Sequence, residues 1–175
     1  MKTETWFDQY NQFADACSIP QGSLIEPPNI EAITLARKLV REEWNTETEA
    51  ALAGYLQNPS LENLVEVADG IGDSIYVLCQ LARSLGIPLN AVFASIQSAN
   101  MAKVVESPSN LMYPQLPKKY TVLRREDGKI LKPEGWTPPD IWKVLKEHSD
   151  KLCVEHGKMG AENWTPTSVQ FTGEL

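Results

Sequence analysis

The strongest constraint on the fold of this chain is a helical periodicity that extends from about residue 29 to about residue 106. Apolar residues recur there every three or four positions, which is typical of helices with one buried side. The pattern is broken at Asn58-Pro59-Ser60 and at Gly86-Ile87-Pro88, and residues of these types commonly end helices. The segment therefore predicts three successive helices, with Asn29 capping the first and Ser60 the second.

Shorter elements are predicted on either side of this segment. Residues 5–17 carry the apolar stripe of an amphipathic helix, and Pro138-Pro139-Asp140 begins a last helix that runs to about His156. Residues 121–124 and 129–131 flank Glu126-Asp127-Gly128, which predicts a small β-hairpin. We expect an all-α fold in a single domain over residues 1–175: a four-helix core (about 29–106, with the helix at 5–17 as the fourth), a hairpin and closing segment (about 115–141), a C-terminal helix (about 139–156) and a tail (157–175).

Composition and charge argue against several classes of protein. The formal net charge of −7 and the pI near 4.9 are unfavourable for binding polyanionic nucleic acid. The cysteines Cys17, Cys79 and Cys153 form no CxxC pair, so neither a disulfide framework nor a zinc ribbon is predicted. The N-terminus has no apolar signal core, and no apolar run reaches the roughly 18 residues of a membrane span. We expect a cytoplasmic protein that does not associate with membranes.

Acidic residues lie among apolar ones in two of the predicted helices. Glu43 and Glu47 are four residues apart in the first long helix, on the stripe expected to face inward. Asp69 and Asp73 have the same spacing in the next helix, and Glu66 comes three residues before Asp69. Because like charges at these spacings repel, converging carboxylates without a nearby lysine or arginine predict a site for a hard divalent cation such as Mg²⁺. The alternative is that each helix has a solvated acidic edge.

Three local sequences resemble those of a known superfamily. The segment IGDSIYVLCQLARSLGIPL is similar to a segment of MazG proteins, SANMAKV resembles an N-M-x-K signature of phage members, and GKILKPEGWTPPDI resembles their closing motif. With the acidic residues, the chain resembles the all-alpha NTP pyrophosphohydrolase superfamily of MazG, HisE and the dimeric dUTPases, in its phage and bacterial MazG-like branch. The resemblance covers about residues 30–145. That branch includes the diphosphohydrolase of the 2-aminoadenine pathway, which acts on guanine nucleotides.

The resemblance implies that the protein is a nucleoside triphosphate diphosphohydrolase. Such an enzyme uses Mg²⁺ or Mn²⁺ to cleave between the α and β phosphates, and guanine (d)NTPs are the substrates we expect here. Glu43 and Glu47 are then metal ligands, and either one serves as general base for the attacking water. Asp69 and Asp73 complete the metal site, and Glu66 is a reserve ligand.

The acidic residues depart from the usual pattern of the superfamily at two points. That pattern is EExxE, whereas Glu42-Glu43 is followed by Trp44-Asn45-Thr46-Glu47, so a strict alignment places Thr46 at the third position. We prefer the pair Glu43 and Glu47 because it stays on the inward stripe. In the next helix, alignment on Gly72-Asp73 selects Asp73, whereas alignment on ExxD selects Glu66 and Asp69.

Further residues are candidates for substrate binding. Lys103, in the N-M-x-K match, is the first candidate for contact with the distal phosphates, and Lys132 is the second. Asn100 is a candidate to hydrogen-bond the sugar, the base or a ligating carboxylate, although asparagine at a helix end is often only a cap. Trp44 and Trp136 are candidates to stack on a base, although tryptophan more often packs in a core. The resemblance also implies a homodimer or homotetramer.

Other functions are compatible with the same residues. A dUTPase-like or broad house-cleaning pyrophosphatase differs only in the base that it accepts. A non-catalytic helical partner protein, with or without nucleotide binding, is compatible with the broken EExxE pattern. A ferritin-like di-metal redox site is disfavoured because the acidic helices have no ExxH motif.

Overall fold

The computed structural model describes residues 3–106 and 120–157, which are mostly helical, as the sequence predicts. The helices are α1 (Trp6–Ala16), α2 (Ile30–Arg41), a π-helix (Glu42–Thr48), α3 (Glu49–Gln57), α4 (Leu61–Ser84), α5 (Leu89–Met101) and α6 (Ile141–Glu155). The chain divides into two compact units, one with the residues up to Leu89 and from Leu145 onward, the other Asn90–Val144.

The long helix α4 organises the first unit. It packs against α1, α2, the π-helix and α3. The predicted caps of α2 and α4 are confirmed: Asn29 Oδ1 accepts a hydrogen bond from the Ala32 amide at 3.0 Å, and Ser60 Oγ accepts one from the Asn63 amide at 3.2 Å. The π-helix joins α2 to α3 without a break, so residues 30–57 form one continuous helical segment.

Helix α1 is fixed to the C-terminal half of α4. Tyr10 and Ala14 are buried against Cys79. Arg83, 5% exposed, donates hydrogen bonds to Asn11 Oδ1, Asp15 Oδ1 and the Ile19 carbonyl oxygen. A buried guanidinium needs such acceptors, because an unpaired buried charge is strongly destabilising. These contacts hold the C-terminal part of α4 in place, and the acidic residues of α4 precede that part.

The prediction of a β-hairpin in the second unit is wrong. Residues 121–124 and 129–131 do not form paired strands; they share an isolated bridge between Arg124 and Ile130 and a hydrogen bond from the Leu131 amide to the Leu123 carbonyl oxygen at 2.8 Å. Instead, β2 (Tyr120–Thr121) pairs antiparallel with β1 (Val105–Glu106). The turn residue Asp127 is paired with Arg125 on the exposed surface. A two-stranded hairpin with no packed face has little stability, which explains why the turn forms without strands. The predicted tail beyond Gly157 and residues 115–119 lie outside the described residues.

Among the described residues, no single helix is both long and apolar enough to cross a membrane, and only α4 and α5 taken together meet that length and composition.

Candidate metal centre and lysine cluster

The π-helix changes which residues face α4. Ala36 is buried, and Val40 and Glu43, the second residue of the π-helix, are half-buried, at the expected helical spacing. The next buried residue is Thr48, five positions after Glu43, whereas Glu47 is exposed. The sequence predicted Glu47 on the inward stripe, and that prediction is wrong because a π-helix has a wider turn than an α-helix. Three residues separate Glu43 from Glu47, whereas the EExxE pattern has two at that place. The one additional residue lies within the π-helix.

Thr48 forms a buried polar contact between the π-helix and α4. It is 3% exposed, and its hydroxyl donates to the Glu43 carbonyl oxygen at 2.8 Å. The same hydroxyl lies 3.0 Å from Ser74 Oγ. A Cβ on Gly70 would lie only 2.9 Å from Thr48 Oγ1, so glycine is required for this close approach. The contact sets the position of Glu43 along α4.

Sequence reasoning missed Thr48 and Ser74, although one signal pointed to them. Glycine is unfavourable in a helix interior, so Gly70 is a signal of a close neighbour, and that neighbour is Thr48. Gly72 has no such neighbour, because a Cβ there would have nothing within 4 Å.

Glu43 has four other carboxylates in its neighbourhood. Its Oε2 atom is buried and has no hydrogen-bond partner among the described residues. Burial raises the pKa of Glu43, and the nearby carboxylates raise it further, in the order Glu47, Asp73, Glu42 and Asp69. The structure therefore brings the predicted residues Glu43, Glu47, Asp69 and Asp73 together. Glu66 is exposed on α4 and is not among the groups that perturb Glu43.

The carboxylates approach one another without closing into a complete ligand set. In the described ranges, no group of three or more His, Cys, Asp or Glu side chains lies close enough to hold a metal ion as positioned. Glu47, Asp69 and Asp73 are exposed, and mutual repulsion favours such an open arrangement. Their chemistry fits a divalent cation: the donors are all carboxylate oxygens, and Glu43 Oε2 is buried without a partner.

A second cluster lies in the other unit and contains four of the predicted substrate-binding residues. The Trp136 indole N–H donates to the Ala99 carbonyl oxygen at 2.7 Å, which ties the closing segment to α5. Lys132 Nζ lies 4.3 Å and Lys103 Nζ 5.5 Å from the centroid of the Trp136 ring. Lys103 Nζ also donates to Asn100 Oδ1 at 2.7 Å. We call these residues the lysine cluster.

Trp44, the other predicted stacking residue, does not belong to the lysine cluster. It lies in the π-helix beside Glu43 and is 48% exposed. Trp136 is half-buried, and its ring already contacts the two lysines. Of the two tryptophans, Trp44 therefore has the ring with more surface available to a ligand.

The fold and the acidic residues define a mostly helical protein in which carboxylates from two packed helical segments lie near one buried carboxylate oxygen. Residues 16–100 match the family model of phosphoribosyl-ATP pyrophosphohydrolase, which belongs to the MazG-like all-alpha NTP pyrophosphohydrolase superfamily. This match supports nucleotide pyrophosphohydrolase activity in general. The matched range includes Glu43, Glu47, Glu66, Asp69 and Asp73 and ends before Lys103, Lys132 and Trp136. The chain matches no curated protein.

Proposed function

We propose that this protein is a metal-dependent nucleoside triphosphate diphosphohydrolase that converts a (d)NTP and water to a (d)NMP and pyrophosphate. The observation that carries the proposal is the buried Oε2 of Glu43, which has no hydrogen-bond partner among the described residues and lies near enough to Glu47, Asp69 and Asp73 for them to raise the pKa of Glu43. The match to a pyrophosphohydrolase family model over the same helices supports it.

Glu43, Glu47, Asp69 and Asp73 hold Mg²⁺ or Mn²⁺ in this proposal. The bound cation would supply charge neutralisation at the phosphates and a more acidic water. The water oxygen bonds to the α phosphorus, the bond from that phosphorus to the bridging oxygen breaks, and pyrophosphate leaves. Either Glu43 or Glu47 accepts the proton of the water. Thr48 keeps Glu43 in place through its bond to the Glu43 carbonyl.

Lys103 and Lys132 bind phosphate oxygens of the substrate in this proposal. Trp136 holds both ammonium groups near one ring, and Asn100 orients Lys103. Two ammonium groups held near each other can bind a polyphosphate together, because the negative charge of a polyphosphate is concentrated on a few oxygens. The exposed ring of Trp44 is the candidate for stacking on the base.

Guanine (d)NTPs are the substrates that we propose first. Phosphoribosyl-ATP is the second candidate, because the matched family model carries that substrate in its name. Both are cleaved at an α–β phosphate bond, so the acidic site serves either one. A dUTPase-like or broad house-cleaning activity differs from these only in the base accepted.

The test is pyrophosphate release from each (d)NTP and from phosphoribosyl-ATP, with Mg²⁺, with Mn²⁺ and with EDTA. We expect metal-dependent formation of pyrophosphate and a nucleoside monophosphate, fastest with guanine substrates. If no substrate is turned over while nucleotide still binds, and Glu43→Gln leaves that binding unchanged, the non-catalytic alternative holds instead.

We also propose that the protein is a homodimer or homotetramer. Helix α4 leaves large apolar residues exposed along its length: Leu61, Leu64, Val65, Ile71 and Leu78. Exposed apolar surface of this extent is typical of a subunit interface. Light scattering after size exclusion should give a mass two or four times that of the 19.5 kDa chain. A single-chain mass at micromolar concentration would refute this assembly.

A further inference from the structure

We infer that the helical segment between Ile30 and Gln57 contains one residue more than a continuous α-helix needs, and that the wide turn at Asn45 absorbs it. The turn keeps Glu43 and Thr48 on the same side of the helix, facing α4. This inference concerns the helix register and stands without the proposed function. Only its metal-binding readout rests on that function.

The burial pattern is the first observation. In an α-helix the buried side recurs after three or four residues. Ala36, Val40 and Glu43 follow this rule, and so do Thr48, Ala51 and Tyr55 further along. The step from Glu43 to Thr48 is five residues. Because both flanking runs face α4, the turn between them must contain one additional residue.

A hydrogen bond of Thr48 is the second observation and is independent of burial. In α-helices, serine and threonine hydroxyls commonly bond the carbonyl of the residue four positions earlier. The Thr48 hydroxyl makes this kind of bond, at 2.8 Å, to the carbonyl of Glu43, five positions earlier. The amide of Glu49 likewise bonds the carbonyl of Trp44, five positions back. Each of these two hydrogen bonds spans five residues, one more than its counterpart in an α-helix.

Asn45 is the residue that the turn can lose. It is exposed and lies on an open depression whose walls come only from α2 and the π-helix: Thr34, Arg37, Lys38, Arg41, Glu42 and Thr46. After its deletion, Thr48 would be four residues from Glu43, and its hydroxyl would reach the same carbonyl in a regular α-helix. Glu47 would be three residues from Glu43, which still places it on a neighbouring position of the helix surface.

The experiment compares deletion of Asn45 with deletion of Lys38, an exposed residue of α2 where no wide turn is present. Asn45→Ala keeps the chain length and controls for loss of the side chain. Circular dichroism follows thermal unfolding of the full chain, and electron paramagnetic resonance follows titration with Mn²⁺ alone.

We expect the Asn45 deletion to unfold cooperatively at or above the temperature of the parent and to bind Mn²⁺ with a Kd within about threefold of it. The Lys38 deletion should lower the unfolding temperature and weaken Mn²⁺ binding by roughly 10–100-fold, as when groups that support metal ligands are lost.

The inference is overturned if the Asn45 deletion unfolds, or loses Mn²⁺ affinity, as much as the Lys38 deletion does. It is also overturned if both deletions are tolerated equally, because the helix would then have no fixed register. If the parent binds no Mn²⁺, the proposed function fails, and the unfolding temperatures alone decide the question of register.

Discussion

The acidic centre and the lysine cluster are organised in opposite ways. Glu43 is partly buried among like charges, and neither a lysine nor an arginine of the described residues offsets them at that carboxylate. Lys103 and Lys132 are also like charges, but the Trp136 ring and Asn100 hold them in place. In the proposed function the acidic centre takes its cation from outside the chain, whereas the two lysines are already held by contacts within the chain.

This difference predicts that ligand binding affects protein stability differently at the two clusters. Adding a divalent cation should stabilise the unit that contains Glu43, because the cation removes repulsion already present in the folded protein. The lysine cluster should contribute to the affinity for phosphate with little change in stability.

Glu43→Gln should have the largest effect, because it removes the central carboxylate. We expect the rate of pyrophosphate release to fall by about 10²- to 10⁴-fold, the range for loss of a catalytic proton acceptor. The shift in unfolding temperature caused by Mn²⁺ should also disappear. Glu66→Gln on α4 is the matched control and should keep most of the activity. Equal losses in the two variants would show that Glu43 has no special role.

Gly70→Ala tests the contact that positions Glu43. The new Cβ would lie 2.9 Å from Thr48 Oγ1 and 3.1 Å from Thr48 Cα, so the two helices must move apart. We expect a loss of about 1–3 kcal/mol in the free energy of unfolding, measured by urea denaturation. Gly72→Ala meets nothing within 4 Å and should gain up to about 1 kcal/mol from helix propensity. Equal changes in both variants would exclude a close contact at Gly70.

Lys132→Met tests the lysine cluster. It keeps the length of the side chain and removes the ammonium group, so the Kd for pyrophosphate should rise about tenfold, corresponding to about 1.4 kcal/mol. The unfolding temperature should change little. Lys146→Met, at an exposed ion pair with Asp150 on α6, is the control and should leave the Kd unchanged. A Kd unaffected by Lys132→Met would remove this cluster from the substrate site.

The pH dependence of stability should show the smallest effect. The pKa of Glu43 is raised in the folded protein, so the folded state binds this proton more tightly than the unfolded chain does. The contribution of Glu43 is therefore stabilising in acid and is lost as the pH rises through its folded pKa. The stability difference between the parent and Glu43→Gln, measured in EDTA, should shift in favour of the parent as the pH falls from 7 toward the ordinary glutamate pKa of 4.5. A difference that does not change with pH contradicts the raised pKa.

The sequence predicted the helices well because periodicity, caps and breakers are local signals. The caps at Asn29 and Ser60 lie where the sequence placed them. The π-helix was not predictable in the same way, because its stability depends on the fit of Thr48 against Gly70 and Ser74 of another helix. The hairpin failed because turn residues specify a turn but supply no packed face for the strands.

In the candidate site, too, local spacing predicted some features, whereas others depend on contacts between distant residues. Spacing within each helix was sufficient to predict that Asp69 and Asp73 lie near Glu43, and this proximity is seen in the raised pKa of Glu43. It was not sufficient to orient Glu47, which is exposed because the helix widens before it. The cluster of Lys103 with Lys132 depends on the indole N–H of Trp136 reaching a carbonyl of α5, a contact between residues distant in sequence.

Titration of the parent and Glu43→Gln with Mn²⁺, followed by electron paramagnetic resonance, tests the central claim most directly. We expect saturable binding to the parent, competition by Mg²⁺, and loss of binding in Glu43→Gln. Binding of Mn²⁺ that is equally tight in both proteins, or absent from the parent, would contradict the assignment of Glu43 and its neighbouring carboxylates as the metal centre.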